Sequence, residues 1–361
     1  MKSDAKPLGR RGPNKRRCPQ CQATVASAMR RCLRCGLDLA DPSALEVVTI
    51  ARPAAPYASG DRVADRYLVL EAYGTGALGT TYRARDEAGN AVAVKVLPQA
   101  LLPTSAERDA FVASIAQLKG RSMQRVALPL DAGIDAGATV FVVSRWVFGA
   151  SLRRLLRAYR AAERKLEVDQ ALGVLQGIAT ALRELHTVSS HGALYPESIQ
   201  ITADTVELTD PAIAAAVPPN RFAAHMTHHP EVSVYLAPEV RAARRCNAGA
   251  DLYSLGALAS ELLFNEPMAT SIAGSKLPDT APELEEALRS LVSAQPAKRA
   301  GALPLVLERL VRAAGAPSLP SYAALPQPSP AGEARTRRLR SMGVAAPEAI
   351  GPIAPRAKKH P

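Results

Sequence analysis

No run of 18 apolar residues occurs anywhere in the 361-residue sequence, so no helix is expected to span a membrane. The basic N-terminus has no apolar stretch behind it, which excludes a secretory signal. A cytoplasmic protein is the expectation. No internal repeat is visible, so the chain is not built from stacked copies of one unit. Cysteine is scarce: there are five, and four of them fall between Cys18 and Cys35. Acids are scarce at both ends. Residues 1–35 hold ten Lys or Arg against one acid, Asp4, and residues 316–361 hold seven against two. The formal charge of +12 therefore divides into +9 and +5 at the ends, around a body of −2. Such ends attract nucleic acid or anionic surfaces, or serve as solvated tails.

What is present divides the chain into five parts. Residues 1–17 are basic and polar and are expected to be disordered. Residues 18–39 carry the four clustered cysteines, 40–60 are a Pro/Ala-rich linker, and 61–315 form one large domain. Residues 316–361 are a Pro-rich basic tail, also expected to be disordered. In the large domain RYLVLEAY, TTYRARD, AVAVKVL and ATVFVVSRW are short, β-branched and bounded by turn residues, which predicts strands. SAERDAFVASIAQLKG interrupts them with a helical pattern. From Ser151 onward the apolar spacing becomes three and four residues, predicting helices, and DLYSLGALASELLF is apolar nearly all round, predicting a buried one. A strand-rich front and a helical back make an α+β fold of two lobes.

The cysteines are spaced Cys18-x2-Cys21-x10-Cys32-x2-Cys35. Two CxxC knuckles supply four thiolates, a tetrahedral set that suits a structural Zn2+ and leaves no open position for a substrate. The segment is too small to bury a core, so metal would supply most of its folding energy. Disulfides are the alternative, disfavoured in a reducing compartment. Cys246 stands alone and reads as an ordinary buried thiol.

GTGALGTTYRARD carries Gly74, Gly76 and Gly79 in a G-x-G-x-x-G pattern. The glycines follow one predicted strand and precede another, which suggests a hairpin lid over phosphates; a tight hairpin without a ligand is the alternative. Sixteen residues past Gly79, Lys95 sits among apolar neighbours in AVAVKVL. A buried ammonium needs an anionic partner, unless the side chain snorkels to solvent.

Over residues 61–315 the chain resembles bacterial Hanks-type serine/threonine protein kinases in motif order and spacing. AVAVKVL resembles the lysine strand, LHTVSSHGALYPESIQI the catalytic loop, and LTDPA the metal-binding segment. YLAPE, DLYSLG and QPAKRAG resemble the three later landmarks of the helical lobe. The resemblance implies a bilobal kinase-like fold, and the cysteine spacing predicts a zinc ribbon in front of it. It also implies ATP binding through Gly74, Gly76, Gly79, Lys95 and Asp210, with Mg2+ on Asp210, although Asp210 before a proline also reads as a turn acid.

Set on the family pattern, the positions that serve chemistry are changed. Ala193 stands where the proton-accepting Asp belongs, Tyr195 replaces the Lys, and Ser198 replaces the metal-holding Asn. Between Leu185 and Ala203 the single acid is Glu197. Pro211 and Ala212 replace the Phe and Gly of the metal-binding segment. Ser114 takes the place of the helix Glu that would pair with Lys95, with Glu107 two turns too early. Val232 occupies the substrate-side Thr position, and the stretch from Phe264 to Ala287 is short for a substrate-docking helix. The positions that serve shape match: His191, Glu239, Asp251 and Arg299. His225, His228 and His229 are expected in a mobile polar loop. The expectation is a pseudokinase scaffold, acting on a partner kinase or signalling effector. An active kinase with an atypical site is the alternative. A nucleic-acid adaptor using the ribbon and basic ends is a third reading, weakened because the ribbon has no aromatic residue for base stacking.

Overall fold

The computed structural model describes residues 56–264, 282–299, 301–314, 318–322 and 326, with the backbone of 15–17 and 24–26. Cys18, Cys21, Cys32 and Cys35 lie outside the described residues, as do most of the expected linker and basic tail. Strands β1 (Lys15–Arg17) and β2 (Thr24–Ala26) pair antiparallel, with Arg16 opposite Val25.

The front of the large domain is one antiparallel sheet in the order β3-β4-β5-β6-β8-β7. Its strands are β3 (Arg62–Val63), β4 (Tyr67–Gly76), β5 (Gly79–Arg85), β6 (Ala91–Val96), β7 (Pro129–Asp135) and β8 (Thr139–Arg145). Period-two alternation sorts its side chains to two faces. Tyr82, Val92, Val94, Phe141 and Val143 close a small core on one face. Val140 and Val142 face the other way and join the main core with Phe111 and Ile115 of helix α1 (Ser105–Ala116). Thr104 starts α1 with a capping box to Glu107. Strand β7 carries no sequence signal: it opens on Pro and holds Asp131, Gly133 and Asp135, residues a strand tolerates at a sheet edge.

The helical lobe is built on α3 (Val168–Leu185) and α8 (Ala248–Phe264), which buries residues on every side. Helices α2 (Leu152–Ala161), α9 (Pro282–Leu291), α10 (Pro296–Arg299) and α11 (Ala302–Ala314) complete it. A small sheet in the order β11-β10-β9 is made of β9 (Ala150–Ser151), β10 (Ile199–Ile201) and β11 (Val206–Leu208). Four short helices follow it: α4 (Ile213–Ala216), α5 (Pro219–Met226), α6 (Pro230–Ser233) and α7 (Pro238–Arg241).

Two expectations shift. The first residues of the expected tail pack on the lobe: a Cβ at Gly173 of α3 would stand 2.1 Å from the Ser318 carbonyl oxygen, and Pro320 is buried. The expected mobile polar loop is also wrong for His225, which lies in α5. Pro219 at its first position and an inner face of Phe222 and Met226 hold that helix. Among the described residues no helix is long and apolar enough to cross a membrane.

Candidate functional site

The loop from His191 to Ser198 is held from beneath. Asp251, 1% exposed at the start of α8, accepts the backbone N–H groups of His191 and Gly192, both at 2.8 Å. His186 reaches the same carboxylate at 3.0 Å. The His191 Nε2–H donates to the Thr209 carbonyl at 2.9 Å. Burial holds the His191 imidazole below its ordinary pKa, against the opposing pull of Asp251, so it is neutral. Gly192 has φ +87, and a Cβ there would lie 2.9 Å from the Ala215 nitrogen. The backbone therefore requires glycine where the family pattern has arginine.

Ala193 is 1% exposed and presents a methyl group. Glu197, the one acid in the loop, is turned to Arg153 at 2.9 Å. Arg153 also reaches Glu261 at 3.4 Å and the Tyr235 hydroxyl at 3.3 Å, and Tyr235 donates to Glu261. This network ties α2 to α8. The Ser198 hydroxyl is spent locally, donating to the Tyr195 carbonyl at 2.9 Å and accepting the Tyr195 N–H at 3.2 Å. Tyr195 is buried, and burial first and the charge of Asp210 second raise its pKa well above the ordinary phenol value. It fills its position as a neutral ring.

Across the cleft, Lys95 on β6 pairs with Asp210 at 2.9 Å, with side chains 11% and 16% exposed. Ser114 is exposed on α1, and Glu107 pairs with Arg221 of α5 at 3.1 Å. Lys95 thus has an anionic partner, but it is the group that would hold a cation. Asp210 and Ala212 both stand at positive φ, +58 and +64, a conformation costing a non-glycine residue about 1–2 kcal/mol. The Ala212 N–H donates to the His191 carbonyl at 3.2 Å, which keeps this turn against the loop.

Gly74, Gly76 and Gly79 lie on the β4–β5 hairpin, with Gly76 opposite Gly79. Gly79 has φ +109, and a Cβ there would stand 1.9 Å from the Val96 carbonyl oxygen, so glycine is obligatory for the hairpin itself. At Gly74 and Gly76 a Cβ would meet nothing within 4 Å. Between Gly76 and Gly79 the tip residues Ala77 and Leu78 are 2% and 0% exposed.

On the helical lobe Arg299, fully buried, pairs with Glu239 and donates to the Gly249 carbonyl at 3.0 Å. Its guanidinium lies 5.5 Å from the centre of the Tyr253 ring. Val232 is buried in α6. Cys246 is partly buried, and burial raises its thiol pKa to about 12. Among the described residues no group of three or more metal-ligating side chains comes together.

Residues 68–293 match the protein tyrosine and serine/threonine kinase family. The chain belongs to that family. It is 29% identical over 224 residues to serine/threonine-protein kinase A of Synechocystis, covering 56% of this chain and 41% of that protein. It is 31% identical over 216 residues to the probable inactive receptor kinase RLK902 of Arabidopsis thaliana, covering 58% and 32%. The chain thus spans well under half the length of these relatives. The Mycobacterium tuberculosis PknI kinase domain superposes with a TM-score of 0.57 at 23% identity, over 72% of this chain and 99% of that one. That likeness carries the bilobal kinase fold: an antiparallel front lobe and a helical back lobe.

Membership implies an ATP and Mg2+ site. In this conformation the residues do not fit that pair. The hairpin tip is inside the protein, Lys95 and Asp210 neutralise each other, and Ser198 is occupied by the backbone. The cavity bounded by Ala93, Lys95, Val142, Ser144, Asp210 and Pro211 leaves about 10 Å³ for the centre of a water molecule, space for about one water. Sequence reasoning did not reach the roles of Asp210 and His225. Asp210 as the partner of Lys95 had no local signal, since 115 residues separate the two.

Proposed function

We propose that this protein is a pseudokinase, a kinase-fold scaffold that acts on a partner by shape and not by phosphoryl transfer. The observation that carries the reading is Ala193. A methyl group cannot accept the hydroxyl proton of a substrate, and the one acid of the loop, Glu197, is bound to Arg153. Loss of a general base alone typically removes 10²–10⁴-fold of rate, and the changes at Tyr195 and Ser198 add to it. The partner is a protein, a kinase or another signalling effector, held in one of its states by docking. Cys18, Cys21, Cys32 and Cys35 would hold a structural Zn2+. Metal analysis of the purified chain before and after a chelator tests that part.

The relatives' names favour a second reading, an active serine/threonine kinase, because the first of them is named a kinase without qualification. The two separate in one assay. With the full chain in excess over labelled ATP, and with Mg2+ or Mn2+, the pseudokinase reading expects no transfer to the chain or to a generic substrate. Transfer that disappears in Lys95→Met would overturn it.

A further inference from the structure

One stretch of the back lobe leaves its charges unanswered. From Val240 to Ala250 the sequence VRAARRCNAGA holds Arg241, Arg244 and Arg245 and no acid. All three are exposed. Their backbone is a fixed turn at the end of α7. The Arg241 N–H donates to the Ala237 carbonyl at 3.1 Å and the Arg244 N–H to the Glu239 carbonyl at 2.9 Å, with Ala243 between them at φ +60. Buried Arg299 reaches both sides of that turn, Glu239 before it and the Gly249 carbonyl after it. This lays α10, with its exposed Lys298, alongside. The two acids that bracket the turn are committed elsewhere. Glu239 is held by Arg299, and Asp251 by the N–H groups of His191 and Gly192. Among the described residues no side-chain hydrogen bond or ion pair reaches Arg241, Arg244, Arg245 or Lys298. Other surface arginines of the same lobe do find acids, Arg289 at Glu285 and Arg312 at Glu308.

Overall charge does not account for the cluster, because residues 36–315 sum to −2. Like charges gathered without a counter-charge repel one another and oppose folding. We propose that Arg241, Arg244, Arg245 and Lys298 form a docking surface for an acidic segment of a partner protein, one that brings several Asp or Glu side chains together. Arginine forks suit carboxylates, which they take in bidentate pairs. The hydrogen-bonded turn presents those forks from main chain that is already ordered, which lowers the cost of binding. Nucleic acid fits less well, because residues 241–249 and 296–299 contain no aromatic side chain on which a base could stack. The inference deepens the scaffold reading by naming its partner's chemistry, and it rests on that reading for the occupant being a docked protein.

The test is fluorescence anisotropy of a short labelled Glu-rich peptide titrated with the full chain, without nucleotide. The basic ends of the chain attract such a peptide too, so the result is read between two variants of equal charge change. Arg244→Glu/Arg245→Glu reverses the proposed surface, and Arg164→Glu/Lys165→Glu reverses two exposed charges that follow α2. The first is expected to bind at least about tenfold more weakly than the native chain and the second within about twofold of it, a gap that narrows as salt rises. Lys298→Glu alone is expected to give a smaller loss in the same direction as the first. Equal losses in the two double variants overturn the proposal, since they report net charge and a merely solvated face. No loss in the first overturns it as well. So does a single-stranded oligonucleotide of equal charge that binds the native chain more tightly than the peptide and is released by the same two substitutions. A thermal melt checks that each variant folds. Should the reversal not fold, Arg244→Gln/Arg245→Gln decides, with weaker binding supporting the surface and native binding overturning it. Phosphate transfer by the native chain would instead sink the pseudokinase reading and leave the docking surface standing.

Discussion

The floor of the catalytic loop and the cleft above it treat their buried charges in opposite ways. Beneath the loop, Asp251 serves two backbone N–H groups and His186, and Arg299 joins Glu239 to the Gly249 carbonyl. Each charge there holds main chain in place. In the cleft, Lys95 and Asp210 hold each other, and Ser198 satisfies its own loop. Charges that fix backbone must keep their identity for the fold to survive. Charges that would grip a ligand can change, provided something else neutralises them. That difference bears on how Asp251 and Arg299 keep their family positions while Ala193 and Ser198 do not.

The contrast can be broken at several points. Arg299→Ala leaves Glu239 buried without its partner, and removing one member of a buried pair costs about 3–5 kcal/mol. Urea denaturation should register that loss, and a change below about 1 kcal/mol would mean the floor is no firmer than a surface pair. Lys95→Met is expected to cost less, about 1–3 kcal/mol, by leaving Asp210 with an unmet charge. In a double-mutant cycle Asp210→Asn should recover part of it. Strict additivity of the two changes would show that the pair is not a strut.

Acid sharpens the comparison further. Burial depresses the pKa of His191 at the start of the loop and of His225 in α5, from an ordinary value of 6.5. The unfolded chain therefore binds more protons than the folded one as the solution is acidified. Their contribution is fully present above the unfolded value and is lost as pH falls through the depressed folded values. The melting temperature should decline from pH 7 to pH 5, and less steeply in His225→Ala than in the native chain. A flat profile would contradict the neutral burial of both rings. The smallest effect is expected at an exposed side chain. Phe148 is 62% exposed, so Phe148→Ser should shift stability by no more than about 0.5 kcal/mol.

Much of this architecture was legible in the residues. The alternation of AVAVKVL announced β6 and put Lys95 between its apolar neighbours, and the all-round apolarity of DLYSLGALASELLF announced α8. Ala193 and Ser198 were readable because a side chain's chemistry is local: a methyl has no lone pair in any fold. Strand β7 was not readable, because Pro129, Asp131 and Gly133 argue against a strand until an edge position excuses them. Nor was α5, whose eight residues carry too little pattern to outweigh three nearby histidines. Gly79 and Gly74 look alike in sequence, yet only Gly79 is hemmed in by the Val96 carbonyl.

By itself the order of residues determined which groups this protein possesses, a methyl at Ala193 and a hydroxyl at Ser198 in whatever fold they meet. Which partner each remaining charge takes was decided only by tertiary structure, because Lys95 meets Asp210 and Ala77 meets His225 across chain separations that no local pattern encodes. Covalent chemistry belongs to single residues, whereas neutralisation and burial belong to pairs brought together by packing.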